Sequence, residues 1–110
     1  MDEIINLLEA AKYVRNETII SGPNAVLIDS LVDDITRYRK QYATAVADSE
    51  TLLSLDEYDK DRYERLRSRA NRYFDRVMEY GIRLQLFLIG YLTDRPFLRE
   101  KVAHLIKEYK

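Results

Sequence analysis

The sequence predicts an all-α fold: an antiparallel helical bundle of about four helices with one long third helix, as a single domain over residues 1–110. Apolar residues recur at spacings of three and four along nearly the whole chain, which is the period of a helix with one buried face. Three glycines and two prolines leave few interruptions, and 46% apolar with 34% charged residues is the composition of a folded domain. A chain of 110 residues can bury one core but is too short for two.

The first predicted helix covers residues 2–20, because five apolar residues fall on one helical face: Ile4, Leu7, Leu8, Ala11 and Val14. The four residues 21–24 should end it, since Gly22 suits a left-handed terminating residue and Pro23 lacks the amide that the helix needs to continue. The same segment should begin the second helix, with Ser21 or Gly22 as the N-cap and Pro23 in the first turn.

The second predicted helix runs to residue 48 and carries a row of alternating three- and four-residue spacings: Ile28, Leu31, Ile35, Tyr38, Tyr42 and Ala45. Residues 54–57 then read Ser-Leu-Asp-Glu, the pattern of a capping box. In that motif the Ser54 oxygen accepts a free amide hydrogen of the first turn, and Glu57 reaches back to the serine amide. The pattern predicts that a third helix begins at residue 56.

The third helix is predicted over residues 56–92, with an unbroken apolar row: Leu66, Ala70, Tyr73, Val77, Tyr80, Leu84, Phe87 and Tyr91. Such a helix is about 55 Å long, at 1.5 Å per residue. A compact domain of this size is only about 30 to 35 Å across. The helix therefore either bends near Gly81 or packs its free end on another copy of the chain.

The last predicted helix has Thr93 or Asp94 as its N-cap and Pro96 in its first turn. Its buried side is predicted to carry Leu98, Val102, Leu105, Ile106 and Tyr109.

Charge and composition restrict the setting in which the chain works. The formal net charge is −1, so recognition of an anion needs local clustering of basic residues. Cysteine is absent, which excludes disulfides and sulfur-ligated zinc and fits a reducing compartment. The N-terminus is acidic, and the longest apolar stretch, residues 82–92, is short and contains Arg83 and Gln85. We expect a cytoplasmic protein with no membrane partner.

Six of the twelve arginines follow the third helix at helical spacing: Arg62, Arg65, Arg69, Arg72, Arg76 and Arg83. They predict a basic ridge about 30 Å long that is able to follow a phosphate backbone. The alternative is pairing with carboxylates, since Asp61 and Glu79 lie four residues before Arg65 and Arg83. Asp59 and Glu64 similarly precede Arg62 and Arg67 by three, and Asp29, Asp33 and Asp34 could pair across the helix interface. Only Arg69 has no acidic residue three or four positions away.

Arg99 and His104 are separated by four residues in the last helix. This spacing resembles the signature of HEPN-domain ribonucleases, all-helical domains in which the pair acts on RNA at a dimer interface. The resemblance implies that His104 is the acid–base group and that Arg99 binds phosphate. It covers these two positions, and Glu100 stands where the family commonly has an uncharged polar residue.

No segment has the residue spacing of a metal site, a phosphate-binding loop or an activated serine nucleophile. We therefore predict no metal and no cofactor, and expect a non-catalytic interaction or assembly subunit, an adaptor that binds another protein. A homodimer is predicted because helices one and four are too short to cover the long apolar row of helix three. The predicted interface residues are Tyr73, Val77, Tyr80, Leu84 and Phe87. A nucleic-acid-binding subunit is the first alternative, and a HEPN-like ribonuclease the second.

Overall fold

The computed structural model describes residues 2–17, 20, 22–55 and 58–106. Four α-helices follow one another along the chain: α1 Asp2–Glu17, α2 Pro23–Leu53, α3 Lys60–Leu92 and α4 Pro96–Val102. The described residues contain no β-strand. The predicted all-α class and the long third helix, which has 33 residues, are confirmed.

The two long helices α2 and α3 lie side by side and form a hairpin. The Tyr38 ring stacks on Tyr80, and further along α2 the Tyr42 ring contacts Phe74. Because the partner residues recede along α3 while those of α2 advance, the two helices run antiparallel. Their length gives the molecule extents of 58 × 28 × 18 Å, so α3 extends along the long axis and does not fold back.

The main hydrophobic core lies at one end of this hairpin, where α1 and α4 pack against it. Its largest fully buried residues are Ile28, Ile35, Leu84, Leu88, Leu92 and Ile106. We call this part, made of α1, α4 and the portions of α2 and α3 that contact them, the base. Residues 39–53 of α2 and 60–74 of α3 extend beyond it, and we call them the distal hairpin.

Gly81 lies in the middle of α3 at its contact with α1. The helix is continuous through Gly81 and does not fold back there, so the predicted bend does not shorten it. A Cβ atom at this position would be 2.6 Å from Ile4 Cδ1 of α1. The missing side chain therefore allows α1 to approach α3 closely.

The N-terminal end of α2 agrees with the sequence prediction, since Gly22 is the N-cap and Pro23 follows it in the first turn. Gly22 has a φ of +64°, a left-handed conformation that favours glycine. The helix continues to Leu53, five residues past the predicted end at residue 48. This extra length matters because it provides α3 with a partner along the distal hairpin.

The predicted capping box at residues 54–57 is wrong. Ser54 is the C-cap of α2, and its hydroxyl donates a hydrogen bond to the Thr51 carbonyl at 2.6 Å. The N-cap of α3 is Asp59, whose carboxylate accepts the Arg62 backbone amide at 3.1 Å. The Ser54 side chain thus serves the end of one helix, and Glu57 lies outside the described residues.

Two other helix ends differ from the prediction. α1 ends at Glu17, and Ile20 is buried beyond it. The N-cap of α4 is Arg95, because the Thr93 hydroxyl instead donates to the Ile89 carbonyl at 2.8 Å at the end of α3. Ile106 is buried in the turns that follow α4, and the predicted core residue Tyr109 lies outside the described residues.

Candidate functional site

The six predicted arginines of α3 are all exposed. Their spacing places them on one flank of the helix, and we call them the arginine ridge: Arg62, Arg65, Arg69, Arg72, Arg76 and Arg83. Arg62 and Arg69 line grooves shared with α2, so the ridge borders the edge where α2 and α3 meet. The ridge follows α3 from the distal hairpin into the base.

Two of the ridge arginines form ion pairs. Arg83 and Arg76 both contact Glu79, with N···O distances of 2.9 and 3.4 Å. The predicted pairing of Glu79 with Arg83 is confirmed.

The other predicted pairs on α3 are absent from the described residues. No ion pair joins Asp61 to Arg65 or Glu64 to Arg67 there, and Asp59 caps a backbone amide instead.

The distal four arginines of the ridge form no ion pair within the described residues. On α2, Asp29 binds Arg15 of α1, and Asp34 binds Arg37 of its own helix. Among the residues that the structure describes, no side-chain hydrogen bond or ion pair engages these four guanidinium groups: Arg62, Arg65, Arg69 and Arg72.

Adjoining grooves follow the ridge along the distal hairpin. One groove of about 240 Å³ contains Lys40 of α2 together with Arg69 and Tyr73 of α3. It shares Asp48 and Leu66 with a groove of about 300 Å³ nearer the tip. A third concavity of about 550 Å³ follows α3 past Arg65, Arg69 and Arg72, and Asp61 and Glu64 also line it. Together they give the ridge a recessed border.

Half-buried aromatic rings border the ridge. The Tyr38 and Tyr80 rings stack with centroids 5.8 Å apart and an interplanar angle of 10°, and Tyr73 lies 6.3 Å from Tyr38. The guanidinium groups of Arg37 and Arg83 lie 4.9 and 5.1 Å from the centroids of Tyr38 and Tyr80. Arginine and aromatic groups therefore alternate along this side of the hairpin.

The residues predicted to form an oligomer interface pack within the chain. Val77 and Leu84 are fully buried in the main core with residues of α1 and α2. Tyr73, Tyr80 and Phe87 are half-buried beside them. The premise that this row lacks a partner in one chain is wrong, because α2 is long enough to pack along it. Whether the chain dimerises stays a prediction.

A different apolar row on α3 is exposed, and the sequence analysis missed it. Phe74, Met78, Ile82 and Leu86 recur every four residues and are 36, 37, 57 and 65% exposed, respectively. The four-residue spacing was readable from the sequence. It was missed because the neighbouring row of alternating spacings accounts for the core by itself.

Arg99 and His104 do not share a helix. Arg99 is in the last turn of α4, which ends at Val102, and His104 follows in a turn. Both side chains are exposed. The HEPN-like pairing of these two residues stays a prediction.

A groove of about 530 Å³ lies between α1 and α2 and contains Leu8, Ile28 and Val32. Arg15 and Asp29 bridge it with two hydrogen bonds, of 3.0 and 3.3 Å. The hydrogen bond from Arg15 to Asp29, and then the charge of Asp29, raise the pKa of Arg15 above its ordinary value. The bridge joins the end of α1 to the beginning of α2.

The described residues lack two kinds of functional feature. They contain no group of three histidine, cysteine or carboxylate side chains placed to hold a metal ion. None of their helices has the combined length and apolar character required to cross a bilayer.

No family model, curated protein or solved structure matches this chain. The candidate sites are therefore defined by the described surfaces alone: the arginine ridge on one flank of α3 and the apolar row on another.

Proposed function

We propose that this chain is a non-catalytic helical assembly subunit that pairs with a second copy of itself through the exposed apolar row of α3. The observation that supports the proposal is the exposure of four large apolar side chains in succession: Phe74, Met78, Ile82 and Leu86. Single exposed apolar residues are common on proteins, whereas a contiguous apolar patch is characteristic of an interaction surface.

The geometry of the row favours a second copy as the partner. Rows of residues spaced by four are inclined to the helix axis, and two such rows interdigitate when the helices cross at about −50°. The row extends about 18 Å along α3, at 1.5 Å per residue. A two-fold axis near Met78 and Ile82 brings each end of one row against the opposite end of its copy.

The charges beside the row also favour self-association. A two-fold axis places identical charges near one another, which opposes pairing when they are unneutralised. Glu79 follows Met78 directly, and both Arg76 and Arg83 bind its carboxylate. This neutralisation reduces the repulsion between the two Glu79 side chains, so an apolar contact is able to determine the pairing.

The mass of the protein in solution tests the proposal. We expect light scattering to give twice the 13.1 kDa of one chain at micromolar concentrations. Replacing Ile82 and Leu86 by glutamate should return the mass to one chain, because burying these charges in an apolar contact is costly. Circular dichroism should stay helical, since both side chains are exposed.

Val26→Glu is the matched control, because Val26 is a 69% exposed apolar residue of α2 outside the row. It should leave the dimer intact. A wild-type mass of one chain throughout, or a dimer that survives Ile82→Glu with Leu86→Glu, would contradict the proposed pairing.

A further inference from the structure

The arginine ridge lies in a strongly basic part of a chain whose net charge is −1. The distal hairpin, residues 39–53 and 60–74, contains eight arginines and lysines against four acidic residues. Within the described residues, the carboxylates that pair with arginine engage Arg15, Arg37, Arg76 and Arg83. The four distal arginines of the ridge have no ion pair within the described residues, so their donors are available to a ligand.

We infer that the arginine ridge, with the grooves and tyrosines beside it, binds single-stranded nucleic acid. Guanidinium groups suit phosphate because their planar donors form paired hydrogen bonds with its oxygens. Along the distal part of the ridge, one arginine is present in nearly every turn of about 5.4 Å. Such a row presents donors at regular intervals to a ligand with regularly spaced charges.

The aromatic residues favour a nucleic acid over an acidic protein segment. Tyr73 and Arg69 line the same groove, so a phosphate on Arg69 places the attached base near a ring. Tyr38 and Tyr80 continue the row of aromatic rings toward the end of the hairpin that α1 and α4 cover. Stacking of bases on aromatic rings, combined with a basic groove, is the usual recognition of single strands.

The position of the apolar row argues against a membrane surface as the ligand. A helix that lies on a membrane has apolar residues bordered by basic ones, so that both contact the lipid together. Here the exposed row of Phe74 to Leu86 begins beyond the four distal arginines of the ridge and lies on another flank of α3.

A single strand fits the grooves better than a duplex. The bases of a duplex are stacked inside it and are not available to a half-buried ring such as Tyr73. An unpaired base can turn toward that ring while its phosphates follow the arginines. We therefore expect single strands to bind more tightly than a duplex of the same length.

Fluorescence anisotropy with a labelled oligouridine long enough to span the ridge provides the first test. We expect binding at low salt that weakens as salt rises, with a log–log slope of about −0.7 for each phosphate neutralised, or about −3 for four arginines. The chain has nine tyrosines and no tryptophan, so stacking should also quench its tyrosine fluorescence.

Three variants of the same helix distinguish binding by the ridge from an effect of net charge. Arg69→Glu should weaken binding about tenfold or more at low salt, and Arg69→Glu with Arg72→Glu should abolish it. Arg67→Glu makes the same change in net charge two residues away on the other flank of α3, and should have a much smaller effect. Helical circular dichroism should be retained in all three.

Tyr73 tests the stacking. Tyr73→Phe keeps the ring and should bind like the wild type, whereas Tyr73→Leu keeps the apolar volume without the ring and should bind about fivefold more weakly or worse. Equal losses in Arg67→Glu and Arg69→Glu, tighter binding of a duplex, or no binding at low salt would each overturn the inference. The outcome is independent of the proposed dimer, because Ile82→Glu with Leu86→Glu changes none of the four distal arginines and should still bind the oligouridine.

Discussion

The base and the distal hairpin are built from the same two long helices, but their buried side chains differ in size. In the base, large aliphatic residues such as Ile35, Leu84 and Leu88 are fully buried among four helices. In the distal hairpin, α2 and α3 meet without α1 or α4, and the buried residues there are Ala45, Ser49, Leu52 and Ala70. Small residues allow two helices to approach closely, but they bury little apolar surface.

The distal hairpin also differs from the base in its polar residues. The one buried polar residue of the described core is Ser49, whose hydroxyl donates to the Val46 carbonyl at 2.7 Å and so avoids an unpaired buried group. The distal hairpin also carries the four arginines that form no ion pair within the described part of the chain, and their mutual repulsion opposes its compact state. The comparison teaches that the base supplies most of the stability, whereas the distal hairpin carries much of the candidate binding surface.

Matched leucine truncations provide the largest test of this comparison. Leu84→Ala should reduce the free energy of unfolding by about 2 to 5 kcal/mol, because it leaves a cavity in a fully enclosed core. Leu52→Ala, in the distal hairpin, should cost about 2 kcal/mol or less, because two helices close more easily around the lost volume. Urea denaturation followed by circular dichroism measures both. Equal losses would mean that the two regions are equally well packed.

A smaller effect is expected at the beginning of α3. Asp59→Ala should cost about 1 kcal/mol, since it leaves the Arg62 amide without its capping acceptor. Ser54→Ala should cost less, because the exposed Ser54 hydroxyl bonds only a helix-terminal carbonyl that water can also reach. Thermal unfolding of the two variants compares them directly. A larger loss in Ser54→Ala would mean that the Ser54 hydrogen bond at the end of α2 contributes more stability than the Asp59 cap of α3.

The difference between base and distal hairpin also explains which sequence predictions are confirmed. The helical periodicity predicts α1, α3 and most of α2, because burial of an apolar face determines where a helix exists. Leu84 and Val77 were correctly predicted to be packed, but the helices that cover them were not predicted. Periodicity shows which face of a helix is buried and does not show which helix covers it. The end of α2 was missed because residues 49–53 form helix beyond the last regular apolar spacing.

Local capping signals were less informative than periodicity. Ser54 and Asp59 are both suitable N-caps, and only the structure shows that Ser54 is already engaged at the end of α2. The ridge was predicted residue by residue, but of its predicted ion pairs on α3 only Glu79 with Arg83 is confirmed. Four acidic residues stand at pairing distance in sequence, but Glu79 alone forms side-chain pairs with the described arginines of α3. Exposed ion pairs contribute little free energy, so residue spacing alone does not determine which of them form.

The antiparallel course of α2 and α3 also bears on the order in which the chain folds. Contacts near the tip of the hairpin join residues that are close in sequence, whereas Ile4 must reach Gly81 across most of the chain. Closing a longer loop costs more entropy, and proteins dominated by local contacts fold faster. We therefore expect the thinly packed tip to form in the folding transition state and α1 to dock afterwards. Stopped-flow φ-values near one for Leu66→Ala and near zero for Ile4→Ala would support this folding order, and the reverse pattern would exclude it.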